Sequence, residues 1–401
     1  MTISAFRSMF IIFIGAVTIG SGQSLRTHDA DPIADLVAMV SETSYTSYLK
    51  ALESFGTRHA LQPNRDSVAS WIAHQFREAG FADVVMDSFA YDTTRQWNVV
   101  ATIAGSEPSA GEIVIGAHHD SQSFFPWQAP GADDNGSGTA GVLEIARVLA
   151  AASYTPRHTL RLITFGAEEM GLKGSEWYAS RLVYDLRTVV FMINFDMIGT
   201  RSADKPDRDV NIVWYDNAYA EARQDSALVA TYTTLTPSLT TQYRYNSDSW
   251  SFAQRGIKSV FHIESDFSIV YHSPSDSMNR LDLTYATDNV RGGLAMYLSR
   301  DGGAITAVPE VEVPGGWSLE QNYPNPFNPE TNLEFRIANF GLVKISVFDA
   351  LGREVAVLID QEMAHGAHTV TWNARGMSSG QYFARMAGGG RVQTRPMLLV
   401  K

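Results

Sequence analysis

The chain contains no cysteine among its 401 residues. Disulfides and thiolate metal ligands are therefore excluded, and any exported form must be held by its core alone. Long apolar runs are also scarce. The longest, Met9 to Gly20, has twelve residues, short of the ~20 needed to span a bilayer. Basic residues are in deficit: 31 Lys and Arg stand against 43 Asp and Glu, a net charge of −12. That balance disfavours nucleic acid as a partner. The deficit lies in the first 314 residues, with 23 basic against 36 acidic side chains, whereas residues 315–401 hold 8 and 7. One gap is local and informative. Between Gly116 and Gly138, GAHHDSQSFFPWQAPGADDNGSG, there is no Lys or Arg at all, although the stretch holds Asp120, Asp133 and Asp134. Acids this close to apolar sequence need cations, and a metal is the economical counter-charge.

What is present begins with residues 1–23. Arg7, the apolar Met9–Gly20 and the small Gly20-Ser21-Gly22 read as an export signal with its cleavage site. Secretion or surface display through the periplasm is expected, with no stable membrane span. Residues 33–54 and 67–80 carry apolar positions at helical spacing. Strands are then expected at 83–90, 97–104, 112–118, 158–166, 188–196, 209–214 and 257–263. Helices are expected at 137–151, 170–183, 218–230, 248–254 and 282–299. Alternation of this kind implies an α/β domain, 24–300, with a mixed, largely parallel sheet between helical layers. A small, proline-containing linker is read at 301–317. Short runs from Leu333–Ile337 to Thr394–Val400, punctuated by glycine, make 318–401 an all-β sandwich.

In such α/β domains, sites lie beyond the carboxyl ends of strands. His118, Asp120, the Glu168-Glu169 pair and Asp196 lie at the ends of expected strands, His272 follows one after a short loop, and Asp133 opens the glycine-rich turn before an expected helix. Each residue alone is a weak signal, because a lone histidine is usually a hydrogen-bonded core residue and an acidic pair usually a cap or a solvated face. Two histidines with several carboxylates, placed together, suit two Zn²⁺ ions sharing a bridging carboxylate.

The motifs GAHHDS, PGADDNGSG, FGAEEMGLKGS, NFDMIG and YHSPSD, in this order from about Ser54 to Arg300, resemble those of the co-catalytic zinc exopeptidases. That family includes secreted bacterial leucyl-type aminopeptidases, glutamate carboxypeptidases and glutaminyl cyclases. The resemblance implies two Zn²⁺ ions held by His118 and Asp196 at one site and by Glu169 and His272 at the other, with Asp133 bridging. It also implies that Asp120 orients His118, that Glu168 is the general base, and that Tyr271 helps stabilise the oxyanion. It further implies a cis peptide between Asp133 and Asp134. Ser249 stands where a histidine is often found. The expected function is that of an exported aminopeptidase acting on peptides. A carboxypeptidase would need a basic group such as Arg201 or Arg244, and a glutaminyl cyclase would work with one zinc. A receptor-like descendant would have lost ligands.

A second resemblance lies in NYPNPFNPETNLEFRI, VFDALGREVAVL, HTVTWNARGMSSGQYFARM and the ending PMLLVK. They are similar to the C-terminal sorting domain of the type IX secretion route, which implies export machinery as a partner over about 319–401.

Overall fold

The computed structural model describes residues 31–201, 208–305, 318–337, 341–350, 352–363, 366–388 and 391–401. The expected export signal lies outside these residues, as does most of the expected linker. The apolar spacing at 33–54 resolves into two helices, α1 (Pro32–Ala38) and α2 (Glu42–Glu53), each started by a side-chain cap, Asp31 and Ser41. Helix α3 (Arg65–Glu78) leads into the hairpin β1 (Asp83–Tyr91) and β2 (Thr94–Ile103), and then β3 (Glu112–His118). After α4 (Gly138–Ala151) come β4 (Tyr154–Thr155), β5 (Thr159–Phe165), α5 (Lys173–Arg181), β6 (Val189–Phe195) and β7 (Asp209–Trp214). The region closes with α6 (Tyr219–Tyr232), β8 (Thr236–Thr240), α7 (Ser249–Ala253), β9 (Lys258–Glu264), α8 (Leu283–Asp301) and β10 (Ala304–Ile305).

Eight strands form one sheet in the order β1-β2-β5-β3-β6-β9-β7-β8. Its centre is parallel, through β5-β3, β3-β6 and β6-β9, while β1-β2, β2-β5 and β9-β7 are antiparallel. The sheet is therefore mixed, as expected, with parallel pairing concentrated where the site lies. Strand β8 was not expected; Thr236–Thr240 contains Pro237 and lies at the sheet edge, where a missing N–H is tolerated. Alternation assigns the two faces. Ile113 and Ile115 pack with Leu49, Leu143 and Leu294 from one helical layer, whereas Val114 packs with Tyr178 and Phe252 from α5 and α7 on the other. A three-layer sandwich results.

Residues 301–305, expected to open the linker, are part of the α/β region. Asp301 ends α8, and its buried carboxylate accepts from the Tyr154 hydroxyl and the Arg157 and His158 amides, while Ala304 and Ile305 pair with β4. These contacts tie 301–305 to the α/β region.

The C-terminal region is all-antiparallel. Strands β11 (Ser318–Leu319), β12 (Glu330–Ile337) and β15 (Gly366–Asn373) form one sheet. Strands β13 (Gly341–Asp349), β14 (Glu354–Met363), β16 (Gly380–Gly388) and β17 (Arg391–Leu399) form the other. Leu333 and Phe335 from the first meet Ile345, Val347 and Met386 from the second in a single core. Among the described residues no helix is long and apolar enough to cross a membrane.

Candidate active site

The site assembles from four strand ends. His118 is the last residue of β3, Asp196 follows β6 directly, Glu168 and Glu169 follow β5, and His272 lies past β9. Because β3, β5, β6 and β9 run parallel, all four loops open on one side of the sheet.

The segment between Gly131 and Ser137 supplies the centre. Asp134 lies between the two histidines, with its Oδ1 3.3 Å from His118 Nε2 and its Oδ2 3.0 Å from His272 Nε2. His118 Nε2 also stands 3.2 Å from Asp196 Oδ1, and His272 Nε2 stands 3.1 Å from Glu169 Oε2. Two donor sets therefore share one carboxylate. The expectation for Asp133 is corrected. Its Oδ1 accepts from the Gly199 amide at 2.9 Å, and its side chain faces Glu264 rather than the histidines. The cis peptide is corrected likewise: it joins Asp134 to Asn135, not Asp133 to Asp134.

Asp120 does two jobs. Its Oδ1 lies 3.6 Å from His118 Nδ1, and its two oxygens accept the amides of Glu168 and Glu169 at 3.0 and 3.2 Å. Its carboxylate thus fixes the turn that carries both glutamates, while its backbone carbonyl lies 3.2 Å from His118 Nδ1. Glu168 Oε2 is 3.9 Å from His118 Nε2, so it sits beside the first donor set. The Tyr271 ring stacks on His272 at 3.7 Å between centroids. The structure thus brings together all the expected residues except Asp133.

Electrostatics describe a crowd of acids in need of cations. Burial would lower the His118 pKa, but the charges of Asp196 and Glu168 outweigh it and raise it well above 6.5. Burial likewise opposes the charged form of His272, yet Asp134 and Glu169 push it up to about 10. Glu169 is raised to about 8, by burial first and then by the charge of Asp134. Burial also raises Glu168 well above its usual range. Several buried polar atoms here lack hydrogen-bond partners. Glu169 Oε1 has no hydrogen bond, and neither carboxylate near His272 Nε2 makes one with it despite the short distances. Imidazole and carboxylate atoms that converge in this way fit zinc, whose usual ligands they are.

Three further residues carry the site and were not singled out from the sequence. The Asp276 carboxylate accepts the amides of Asp133 and Asp134 at 2.9 and 3.0 Å, holding the turn from below. It ends the YHSPSD motif, so its signal was available. Arg58 is buried, with its guanidinium donating to the carbonyls of His119, Leu52, Pro130 and Gly131 at 2.8, 3.3, 2.5 and 2.7 Å. It clamps the His118–Asp120 and Gly131–Asp134 segments together, and burial pulls its pKa down to about 10. Asp248 is buried near the glutamates, and burial raises it to about 7. Nothing in the sequence around Arg58 or Asp248 separates them from ordinary turn and cap residues.

A cleft opens from the donors toward an apolar wall of Met197, Tyr243, Phe261, Ile263 and Phe267. Among the described residues, no Lys or Arg lines it. Arg201 is paired with Asp282, and Arg244 with Asp216 at 2.8 Å.

Comparison with known proteins agrees with this geometry. Residues 98–295 match the model of peptidase family M28, and residues 321–400 match that of a secretion system C-terminal sorting domain. A probable leucine aminopeptidase of Arthroderma otae is 33% identical over 192 residues, covering 45% of this chain and 50% of its own. A probable zinc metalloprotease of Leptosphaeria maculans is 32% identical over 207 residues, covering 46% of this chain and 48% of its own. The chain thus spans about half the length of the first curated relatives it matches. Among solved structures, the Legionella pneumophila aminopeptidase LapA superposes with a TM-score of 0.61 at 23% identity, covering 67% of this chain and 74% of that one. The zinc aminopeptidase of Bacillus subtilis superposes with a TM-score of 0.57 at 18% identity, covering 65% and 95%. These two likenesses speak to the fold.

Proposed function

From a chain whose residues 98–295 belong to peptidase family M28 and whose tail is a type IX sorting domain, we propose an exported aminopeptidase that removes the first residue of peptides with two bound zinc ions. The observation that carries the reading is Asp134, one carboxylate facing two histidines, each accompanied by a second acid. His118, Asp134 and Asp196 would hold one ion, and Glu169, Asp134 and His272 the other. When bound, the ions supply an activated water and polarise the scissile carbonyl.

The chain's own residues do the rest. Glu168, beside the first donor set with Oε2 3.9 Å from His118 Nε2, takes the proton of the attacking water and delivers it to the leaving amine. Asp120 holds the glutamate turn through two amides, so the base keeps its place. The Tyr271 phenol is raised above its usual range by burial and by Asp134, stays protonated, and can donate to a developing oxyanion. The wall of Met197, Phe261, Ile263 and Phe267 receives an apolar first side chain. A cleft rich in carboxylates, and without a lining cation among the described residues, suits a substrate ammonium and disfavours a terminal carboxylate, which favours the aminopeptidase over the carboxypeptidase. The expected export signal at 1–23 completes the route to the exterior.

The test compares leucyl-peptides with their N-acetylated forms. Hydrolysis of the free form alone is expected; equal hydrolysis of both, or cyclisation of an N-terminal glutamine, contradicts the reading.

A further inference from the structure

Between Asp120 and Gly131 the chain forms a loop, SQSFFPWQAP, that shows its rings to solvent. Phe124 is 82% exposed, Trp127 67% and Phe125 49%, and the rings of Phe125 and Trp127 meet at 5.4 Å. Grouped large aromatics on a surface mark a contact site far more often than scattered ones do. The loop is also firmly built. The buried Ser123 hydroxyl accepts the Phe125 amide at 2.9 Å and donates to the Gln128 carbonyl at 2.7 Å, and the Thr57 hydroxyl donates to the Pro126 carbonyl at 2.7 Å. The Ala129 amide is fixed to the Gly56 carbonyl at 3.1 Å. Such a frame keeps the rings outward, so little entropy is lost when they bind.

The position of the loop identifies what it meets. The Gln122 side-chain amide lies 3.4 Å from His272 Nδ1, which joins the loop to the active site. Tyr271 stacks on His272 and meets Phe267, and both line the cleft assigned to the first side chain. Cleavage of the first peptide bond beside His272 leaves the remainder of the peptide to run out over a rim. The loop carrying Gln122 adjoins His272, and none of its residues lines the cleft assigned to the first side chain.

We propose that Phe124, Phe125 and Trp127 form a platform for the second and third residues of the peptide, selecting apolar side chains there. The proposal rests on the aminopeptidase reading and extends it. The rings bury apolar side chains of the departing chain, and the gain falls in binding rather than in the chemical step.

The experiment measures kcat/KM of the full-length, zinc-loaded protein on Leu-Phe-Phe, Leu-Gly-Gly and leucinamide, for the native protein and for the double variant F124S/W127S. Because both replaced rings are exposed, the fold and zinc content serve as internal controls. The native protein is expected to favour Leu-Phe-Phe over Leu-Gly-Gly by about tenfold, mostly in KM, equivalent to ~1.4 kcal/mol. In the double variant that ratio is expected to fall to within about twofold. A ratio unchanged by the double substitution overturns the platform, and so does an equal loss on all three substrates, which would make the loop a support for His272. No turnover of any of the three by zinc-loaded native protein overturns the aminopeptidase reading itself, and the platform with it.

Discussion

Glu168 and Glu169 are neighbours assigned different work, and single substitutions separate them. Glu168→Gln keeps size and polarity but cannot accept a proton. It is expected to retain zinc and fold while kcat falls ~10²–10⁴-fold, the range usual for a general base. Glu169→Gln is expected to lose zinc as well as rate. Zinc content and kcat of both variants, measured side by side, check the pair; metal loss from Glu168→Gln with retention in Glu169→Gln reverses the assignment. The same scale shows where the sequence ran out. His118, Asp196 and His272 were legible because each follows a strand of strongly apolar, β-branched or aromatic residues. The choice between Asp133 and Asp134 was not. Adjacent acids carry no signal as to which one turns inward, and the answer depends on the non-helical backbone at Asp134 and Asn135 and on Asp276 below them. Arg58 stayed hidden for a related reason. Its partners are four backbone carbonyls from three separate segments, and a sequence does not display carbonyls.

At the scale of elements, the turn from Gly131 to Gly138 decides whether the site exists. Gly131 has φ +51°, and a Cβ there would press on the Asp134 carbonyl and on Ser121 Cβ. Gly138 begins α4 so close to β6 that a Cβ would stand 2.6 Å from the Phe195 carbonyl. Neither neighbour is a flexible side-chain tip, so the backbone itself would have to move. Gly131→Ala is therefore expected to weaken zinc binding by tenfold or more, about 1.4 kcal/mol, with helix content unchanged. Zinc titration followed by circular dichroism tests this, and native affinity in a folded variant contradicts it. Most element positions were legible to within a few residues because the apolar periods are strong. Two lapses have physical causes. The strand at Thr236–Thr240 carries a proline and lies at an edge, so it lacks the apolar run of the central strands. The end of α8 was set short because the glycines and proline after Asp301 look like a linker, whereas the Asp301 carboxylate ties that end to β4.

Across the whole molecule, the α/β region and the sandwich each close their own hydrophobic core. Deletion of 319–401 is therefore expected to leave zinc content and kcat within about twofold of native, since independent cores behave as separate units. Surface delivery is expected to be lost. Turnover assays on the purified truncated chain, alongside fractionation of cells expressing it, check both; loss of turnover in folded, zinc-loaded protein would bring the sandwich into catalysis. The most direct test of the central claim is zinc per chain, measured by elemental analysis of dialysed full-length protein together with Asp134→Asn and Asp133→Asn. Two zinc ions are expected in the native protein and in Asp133→Asn, with at least one lost in Asp134→Asn. A native protein holding a single zinc at full activity, or a metal loss that follows Asp133 instead of Asp134, would contradict the shared-carboxylate site.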